Sequence, residues 1–400
     1  WVDVPPELAV FAGRSGYASW FSALVNVGAL LGAFGGGSLC THVGQRNVLR
    51  IALAIIGGCW MWAARASAPL QLCAARAVMG LGVGLQSVAA PAYIAEASPP
   101  QFRGALGVAN GAAILTGVML VDFVGGSVCR AGFRDELCAW RHLANVIAVC
   151  AAAALVASVA LPSAYRGDTL EVPVALAASW RNGALERQAE DLRERSHAKT
   201  VLAGVVPMVW QQLSGVNAVI FFGQSILAAG GVHGYNLLGV SVIGVQLAGV
   251  AVAALLIENL GRRPLLIASV AGMAVAAGVL SALLRLARPQ PPAVVTALYA
   301  YVLAFSIGLG PLPWLLPQEL GLPERSRARL ASFATASNWA CSFAVTGPPL
   351  AALEDVCGLA GAFAVFGASC LVGLVLICGL VPETAHHRRP LRQHSDCARQ

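Results

Sequence analysis

Charge is scarce in this chain. Asp, Glu, Lys and Arg together make up 11% of 400 residues, and aromatic residues 7%. A soluble domain of average composition carries about 25% charge. So little polar surface cannot keep a chain of this size in water, which excludes a soluble enzyme. It also excludes an acidic disordered protein and a charged coiled coil. Lysine is almost absent: of the 26 basic residues only Lys199 is not arginine, and the formal net charge is +7. The arginines sit in short runs between apolar stretches and form no continuous basic face, so nucleic acid is not an expected partner. Nor is there a nucleophile–base pair, a nucleotide-binding fingerprint or a metal-ligand spacing among the 11 cysteines. No catalytic residue, metal or cofactor is expected.

What the chain has is apolar sequence: 58% of its residues are hydrophobic, with a mean hydropathy of +0.71. A membrane-spanning helix needs about 20 mostly apolar residues. Eleven such stretches fall near 18–40, 48–66, 72–96, 104–127, 140–161, 200–229, 236–257, 264–286, 293–319, 328–350 and 358–381. The one long polar segment, 163–199, sets Ala184, Leu185, Ala189 and Leu192 among charged residues and reads as short amphipathic helices or a solvated linker. Basic residues accumulate on cytoplasmic loops. Alternating the loops puts Arg46, Arg103, Arg262, Arg263, Arg327, the linker and the C-terminal tail on the richer, cytoplasmic side. Residues 1–13 lack a basic start and a long apolar core, so no signal peptide is expected there.

Landmarks recur at an offset of about 220 residues: Gly44-Gln45-Arg46 echoes Gly261-Arg262-Arg263, Glu96 echoes Glu319, and Arg103-Gly104 echoes Arg327-Ala328. Such a repeat points to two helix bundles related by an axis along the membrane normal. Carried backwards, the repeat leaves 200–229 without a partner. The expectation is twelve spans with the first one missing, and hence a 400-residue chain that is inactive and poorly stable by itself.

Several motifs occur in order along the chain. They are Arg76-x3-Gly80-x-Gly82-x-Gly84, Pro91-x-Tyr93-x2-Glu96-x2-Pro99-x3-Arg103-Gly104, Gln211-Gln212-Leu213-Ser214-Gly215-x-Asn217 and Glu258-x2-Gly261-Arg262-Arg263. Gly308-x-Gly310-Pro311-x-Pro313-Trp314, Ser337-Asn338-Trp339 and Pro382-Glu383-Thr384 complete the series. With these the chain resembles the sugar porter family of the major facilitator superfamily, the facilitative hexose transporters and their proton-coupled relatives. The resemblance implies an all-α membrane protein of the major facilitator fold, two six-helix bundles with eleven of twelve helices present. Residues 1–162 would form the N-terminal bundle, 163–199 the cytoplasmic linker, 200–382 the C-terminal bundle and 383–400 a cytoplasmic tail. The implied activity is hexose transport by alternating access, as a facilitative uniporter in the plasma membrane. A proton-coupled symporter and a non-transporting sugar sensor are the alternatives. Hexose and the lipid bilayer are the implied partners, with a proton added in the symport case.

Amides supply both donors and acceptors to sugar hydroxyls, and an indole packs on a sugar's C–H face. The resemblance accordingly assigns sugar binding to Gln211, Gln212, Asn217, Gln246, Trp314 and Asn338. It assigns a gate on the cytoplasmic side to Arg46, Glu96, Arg103, Glu258, Arg262, Arg263, Glu319 and Arg327, with Glu319 and Arg327 expected to approach charges of the opposite bundle or its helix-two/three loop in an outward-open state and to separate when the protein opens inward. The first-half loop departs from the family pattern at Thr41, His42 and Gln45, where an acid, a base and an arginine are usual. Ser306 and Gly111 replace the Glu and Gln of glucose facilitators, which implies a roomier cavity. Gly28, Gly32 and Gly36 share one helix face and read equally as a sliding surface between bundles or as fixed packing. A disulfide between Cys129 and Cys138 is left open.

Overall fold

The computed structural model describes residues 15–99, 102–130, 136–162, 183–217, 219, 236–286, 290–346 and 348–384. Among these residues the chain is helical and has no strands. The first half contains α1 (Ser15–Val43), α2 (Gln45–Arg65), α3 (Pro69–Ala97), α4 (Arg103–Arg130) and α5 (Glu136–Ala157), with a 3₁₀ turn at Ser158–Ala160. The second half contains α6 (Gly183–Leu213), α7 (Asn236–Leu260), α8 (Arg262–Leu284), α9 (Pro291–Ile307), α10 (Leu312–Glu319), α11 (Glu324–Val345) and α12 (Pro348–Leu380). α9 and α10 together make one span, so the described residues hold eleven helical positions.

Nine of these are long and apolar enough to cross a membrane by length and composition. α11 falls short because its first turns carry Arg325, Arg327 and Arg329 and its inner face carries Ser332, Thr335, Asn338 and Ser342, all four of them buried. These polar groups face protein, as intramembrane polar groups must. α6 runs without a break from Gly183 to Leu213, so the end of the expected linker and the start of the expected span lie on one helix. Residues 163–182 and the side chains of 183–197 lie outside the described residues, as do the side chains of Cys129 and Cys138 and the chain before residue 15.

The two halves solve packing differently. In the second half, Leu266, Met273, Leu298, Tyr301 and Phe363 form a core of large side chains. Tyr301 and Phe363 meet edge to face with centroids 6.2 Å apart. In the first half the backbones themselves touch. A Cβ on Gly28 would lie 2.0 Å from the Ala77 carbonyl oxygen, on Gly32 2.2 Å from that of Leu81, and on Gly84 2.1 Å from that of Ala29. The glycine stripe of α1 therefore fixes α1 on α3 inside one bundle, which decides the question left open above in favour of fixed packing. Small residues permit this approach where the bilayer gives no hydrophobic force between helices. The close approach between halves lies one residue away, at Gly37, whose N–H donates to Ser332 Oγ at 2.6 Å. Across the halves α1 packs on α11 and α4 on α7. Val356, Leu255 and Val375 are among the large apolar side chains left exposed on the outer surface, where hydrocarbon would cover them.

Repeat-related turns are alike in detail. Gly44 (φ 83°) and Gly261 (φ 88°) each precede a helix in a backbone region that L side chains rarely adopt. Arg46 donates to the Leu161 carbonyl at 3.1 Å, and Arg263 to the Cys378 carbonyl at 2.6 Å. Each arginine thus satisfies a carbonyl at the end of its own bundle's last helix, where the helix dipole favours a cation.

Candidate functional site

A cavity of about 400 Å³ lies between the halves. Its walls come from α3 and α4 on one side and from α6, α7, α9, α10 and α11 on the other. Gln211, Gln212, Asn217, Gln246 and Trp314 line it. Asn338 does not. It is 1% exposed and stands behind the glutamines, donating to Gln211 Oε1 at 2.8 Å and to the Met208 carbonyl at 2.7 Å. Its own Oδ1 accepts from Gln212 Nε2 at 3.1 Å. Asn338 therefore orients the two glutamines, while they present their edges to the cavity.

Two helix breaks bring these groups together. After Ile307, Gly308 leaves helical geometry, and Pro311 and Pro313 lack N–H donors. Pro313 leaves the Leu309 carbonyl without its i+4 donor, Gly310 lies in the break before α10, and Gln211 Nε2 donates to both carbonyls, at 3.0 and 2.6 Å. The second break is at Ser214-Gly215, where Gly215 has φ 85° and a Cβ would run into the Phe366 ring. The Tyr301 hydroxyl donates to the Ser214 carbonyl exposed there. In an unbroken helix Asn217 would stand about 120–140° around the axis from Gln211 and Gln212. The break instead turns it back, so that Asn217 Nδ2 reaches Gln212 Oε1 and, at 3.3 Å, Ser342 Oγ.

The polar chain continues across the halves. Ser342 Oγ donates to Asn26 Oδ1 at 3.3 Å, and Asn26 Nδ2 donates to Thr346 Oγ1 at 3.0 Å. Asn26 and Ser342 were not singled out in the sequence, nor was Gln86, which lines the cavity from α3. The signal was present: each is a polar side chain within an apolar span. Asn110, Gly111 and Ser306 also line the cavity. Every described lining residue is uncharged.

The Arg-rich end is closed by a charge cluster. Arg327 Nη2 lies 3.2 Å from Glu96 Oε1, joining the second half to the first. Arg262 pairs with Glu319 at 2.9 Å and with Glu258 at 3.2 Å, within the second half. Glu319, expected to reach the opposite bundle, is thus held in its own: Arg262 starts α8 directly beside the end of α10, and Thr384 adds a hydrogen bond at 2.7 Å. Cross-half contact is made there by backbone, since a Cβ on Gly104 would sit 2.4 Å from both Arg262 Nη2 and Glu258 Oε1. Arg46 and Arg263 hold helix ends, as described above. Arg103 makes no ion pair among the described residues. In the first half Gln45 takes the place of Arg262 and donates to Glu96 at 2.7 Å, a neutral bond where the second half has an ionic one. A cavity of about 20 Å³, room for one water, lies beside this contact and is lined by Cys40, Gln45, Glu96 and Arg327.

Comparison with known proteins agrees with this architecture. The family model described as "Sugar (and other) transporter" matches residues 11–166 and 176–390. A facilitated trehalose transporter of Polypedilum vanderplanki is 30% identical over 92% of this chain and 77% of its own length. Another, of Drosophila yakuba, is 31% identical over 95% of this chain, which spans 47% of that longer protein. Among solved structures, the proton:xylose symporter XylE bound to 6-bromo-6-deoxy-D-glucose superposes with a TM-score of 0.79 at 22% identity, over 96% of this chain and 90% of that one. The inward-open form of XylE from E. coli gives 0.70 at 23% identity, over 96% and 90%. These likenesses in structure are likenesses of fold. The chain belongs to the sugar transporter family of the major facilitator superfamily, a family of multi-pass membrane transporters and not of enzymes.

Proposed function

We propose that the protein is a facilitative transporter of a glucose-type sugar, with the sugar held in the central cavity by Gln211, Gln212, Asn217 and Gln246 and stacked on Trp314. The observation that carries this reading is the chemistry of the wall: a cluster of amides with aromatic and apolar neighbours and no charged residue among the described lining side chains. An uncharged polyol suits such a wall, because Gln212 keeps one amide hydrogen and Asn217 its carbonyl oxygen beyond the bonds they make to each other, to Asn338 and to Ser342, while Gln211 spends both amide hydrogens on the Leu309 and Gly310 carbonyls. A charged solute would leave its charge unpaired in a desolvated site. Asn338 positions the glutamines. Glu96 and Arg327 close the cytoplasmic side, and the halves rock about the bound sugar. Relatives named for facilitated transport of trehalose, a sugar of two glucose units, support a glucosyl-containing substrate carried down its gradient. The membrane we assign is the plasma membrane, with the Arg-rich loops in the cytoplasm.

The test is counterflow of labelled D-glucose into liposomes carrying the full-length protein, with and without a proton gradient. Saturable glucose exchange indifferent to the gradient is expected. Exchange that needs the gradient would replace uniport by symport, and absence of sugar exchange would refute the reading.

A further inference from the structure

Two kinds of glycine contact run through the molecule. Gly28, Gly32 and Gly84 are crowded by their own half, as described above. Gly37, Gly104 and Gly107 belong to the first half and are crowded by the second. A Cβ on Gly37 would stand 2.3 Å from the Ala328 carbonyl oxygen and 2.4 Å from Ser332 Oγ, both on α11. One on Gly104 would run into the Arg262 guanidinium and the Glu258 carboxylate, and one on Gly107 would fall 1.9 Å from Leu315 Cδ2 on α10. Among the described residues no glycine of the second half is crowded by the first.

All three contacts lie at the Arg-rich end. Gly37 is six residues before the end of α1, about 9 Å of helix, and it lines the small cavity beside Glu96 and Arg327. Gly104 and Gly107 are in the first two turns of α4. The contact at Gly37 differs from the other two in what opposes it. The Ala328 carbonyl is main chain and cannot rotate aside, whereas Arg262, Glu258 and Leu315 offer side-chain atoms. Gly37 itself has no positive φ, so alanine suits α1 and is the better helix former. Only the approach of α11 forbids it.

We infer that these glycines, Gly37 above all, are the seats on which the second half closes the Arg-rich end. The Arg327–Glu96 pair draws the halves together, and the seats set how close they come. A methyl group at 37 then acts as a wedge: rocking the halves apart relieves it, so that end stays open while each bundle remains folded. A methyl at Gly84 meets the same kind of clash inside one bundle, where rocking gives no relief, and so it costs stability instead. This rests on the alternating-access reading above.

The experiment is double electron–electron resonance between spin labels on Asn47→Cys and Arg325→Cys, exposed positions of the two halves at the Arg-rich end. In an otherwise cysteine-free background the full-length parent is compared with Gly37→Ala and Gly84→Ala, and each protein is also followed by thermal shift, glucose binding and glucose counterflow. Gly37→Ala should lengthen the separation and melt near the parent. It should lower exchange more than about tenfold and hold glucose affinity within about threefold. Gly84→Ala should melt lower at the parent's separation. Gly107→Ala should lengthen the separation too, and Leu315→Ala added to it should restore the parent's value, because the seat is then emptied from the other side. The parent's separation in folded Gly37→Ala overturns the inference, as does equal lengthening in Gly84→Ala. If Gly37→Ala does not fold, the Gly107 pair decides: no lengthening, or lengthening that Leu315→Ala leaves in place, overturns it. A parent that exchanges no glucose refutes the sugar-transport reading instead, and the distance measurement still tests the seats.

Discussion

Removing the guanidinium of Arg327 deletes the ion pair that joins the halves at the Arg-rich end, and its size follows from its surroundings. The side chains of Arg327 and Glu96 are 28% and 23% exposed at a separation of 3.2 Å. Water screens such a pair, so it is worth about 1 kcal/mol and not the several expected of a fully buried one. About 1 kcal/mol taken from the closed state is roughly a fivefold rise in the open population. Cys40 reports that population: the residue is 5% exposed and lines the small cavity beside the pair. With Cys40 as the only cysteine, Arg327→Ala should speed its alkylation by a water-soluble reagent about fivefold, and Glu96→Ala by at least as much, because it also removes the Gln45 hydrogen bond and the carboxylate beside the thiol. The double variant should react no faster than Glu96→Ala, which already removes the Arg327 pair. Alkylation rates that do not change, or that multiply in the double variant, would refute the assignment of this pair to the gate.

Gln211→Leu should weaken sugar binding at least tenfold by calorimetry and also lower the melting temperature, since the Leu309 and Gly310 carbonyls lose their donor at about 1–3 kcal/mol per buried group. Asn26→Leu breaks the polar chain from Asn217 through Ser342 into the first half, and should slow exchange several-fold with the sugar dissociation constant within twofold of the parent. Gly84→Ala drives a Cβ to 2.1 Å from the Ala29 carbonyl oxygen and should cost about 1–3 kcal/mol of stability, whereas Gly117→Ala, with nothing within 4 Å among the described residues, should cost none. A thermal shift assay on the two alanine variants separates these outcomes.

The fold was legible because its causes are local in sequence. Apolar runs of about 20 residues leave few alternatives in a bilayer, and the recurring Gly44 and Gly261 loops mark the internal repeat without reference to contacts. The motif around Gln211, Gln212 and Trp314 likewise named residues that do line the cavity. What remained hidden depends on breaks in helices. Helical spacing cannot tell that Gly215 turns Asn217 back onto Gln212, or that the carbonyls at 309 and 310 are taken by Gln211. Nor can it tell that Asn338, of the same residue type as Asn217, stands behind the wall. The charge network was misread at Glu319 for a similar reason. Sequence order gives the sign of each residue, while the partner is set by how α8 meets α10 in space. Gln86 and Asn26 were overlooked although a lone amide in an apolar span is itself a signal.

Glucose counterflow in liposomes, with the parent protein and Gln212→Leu side by side, decides whether the uncharged, amide-lined cavity is a sugar site. Gln212 both lines the cavity and joins Asn338 to Asn217. Saturable exchange by the parent and an apparent glucose affinity at least tenfold weaker in folded Gln212→Leu are expected. Equal affinities for glucose in the two proteins would rule out a sugar site in this cavity.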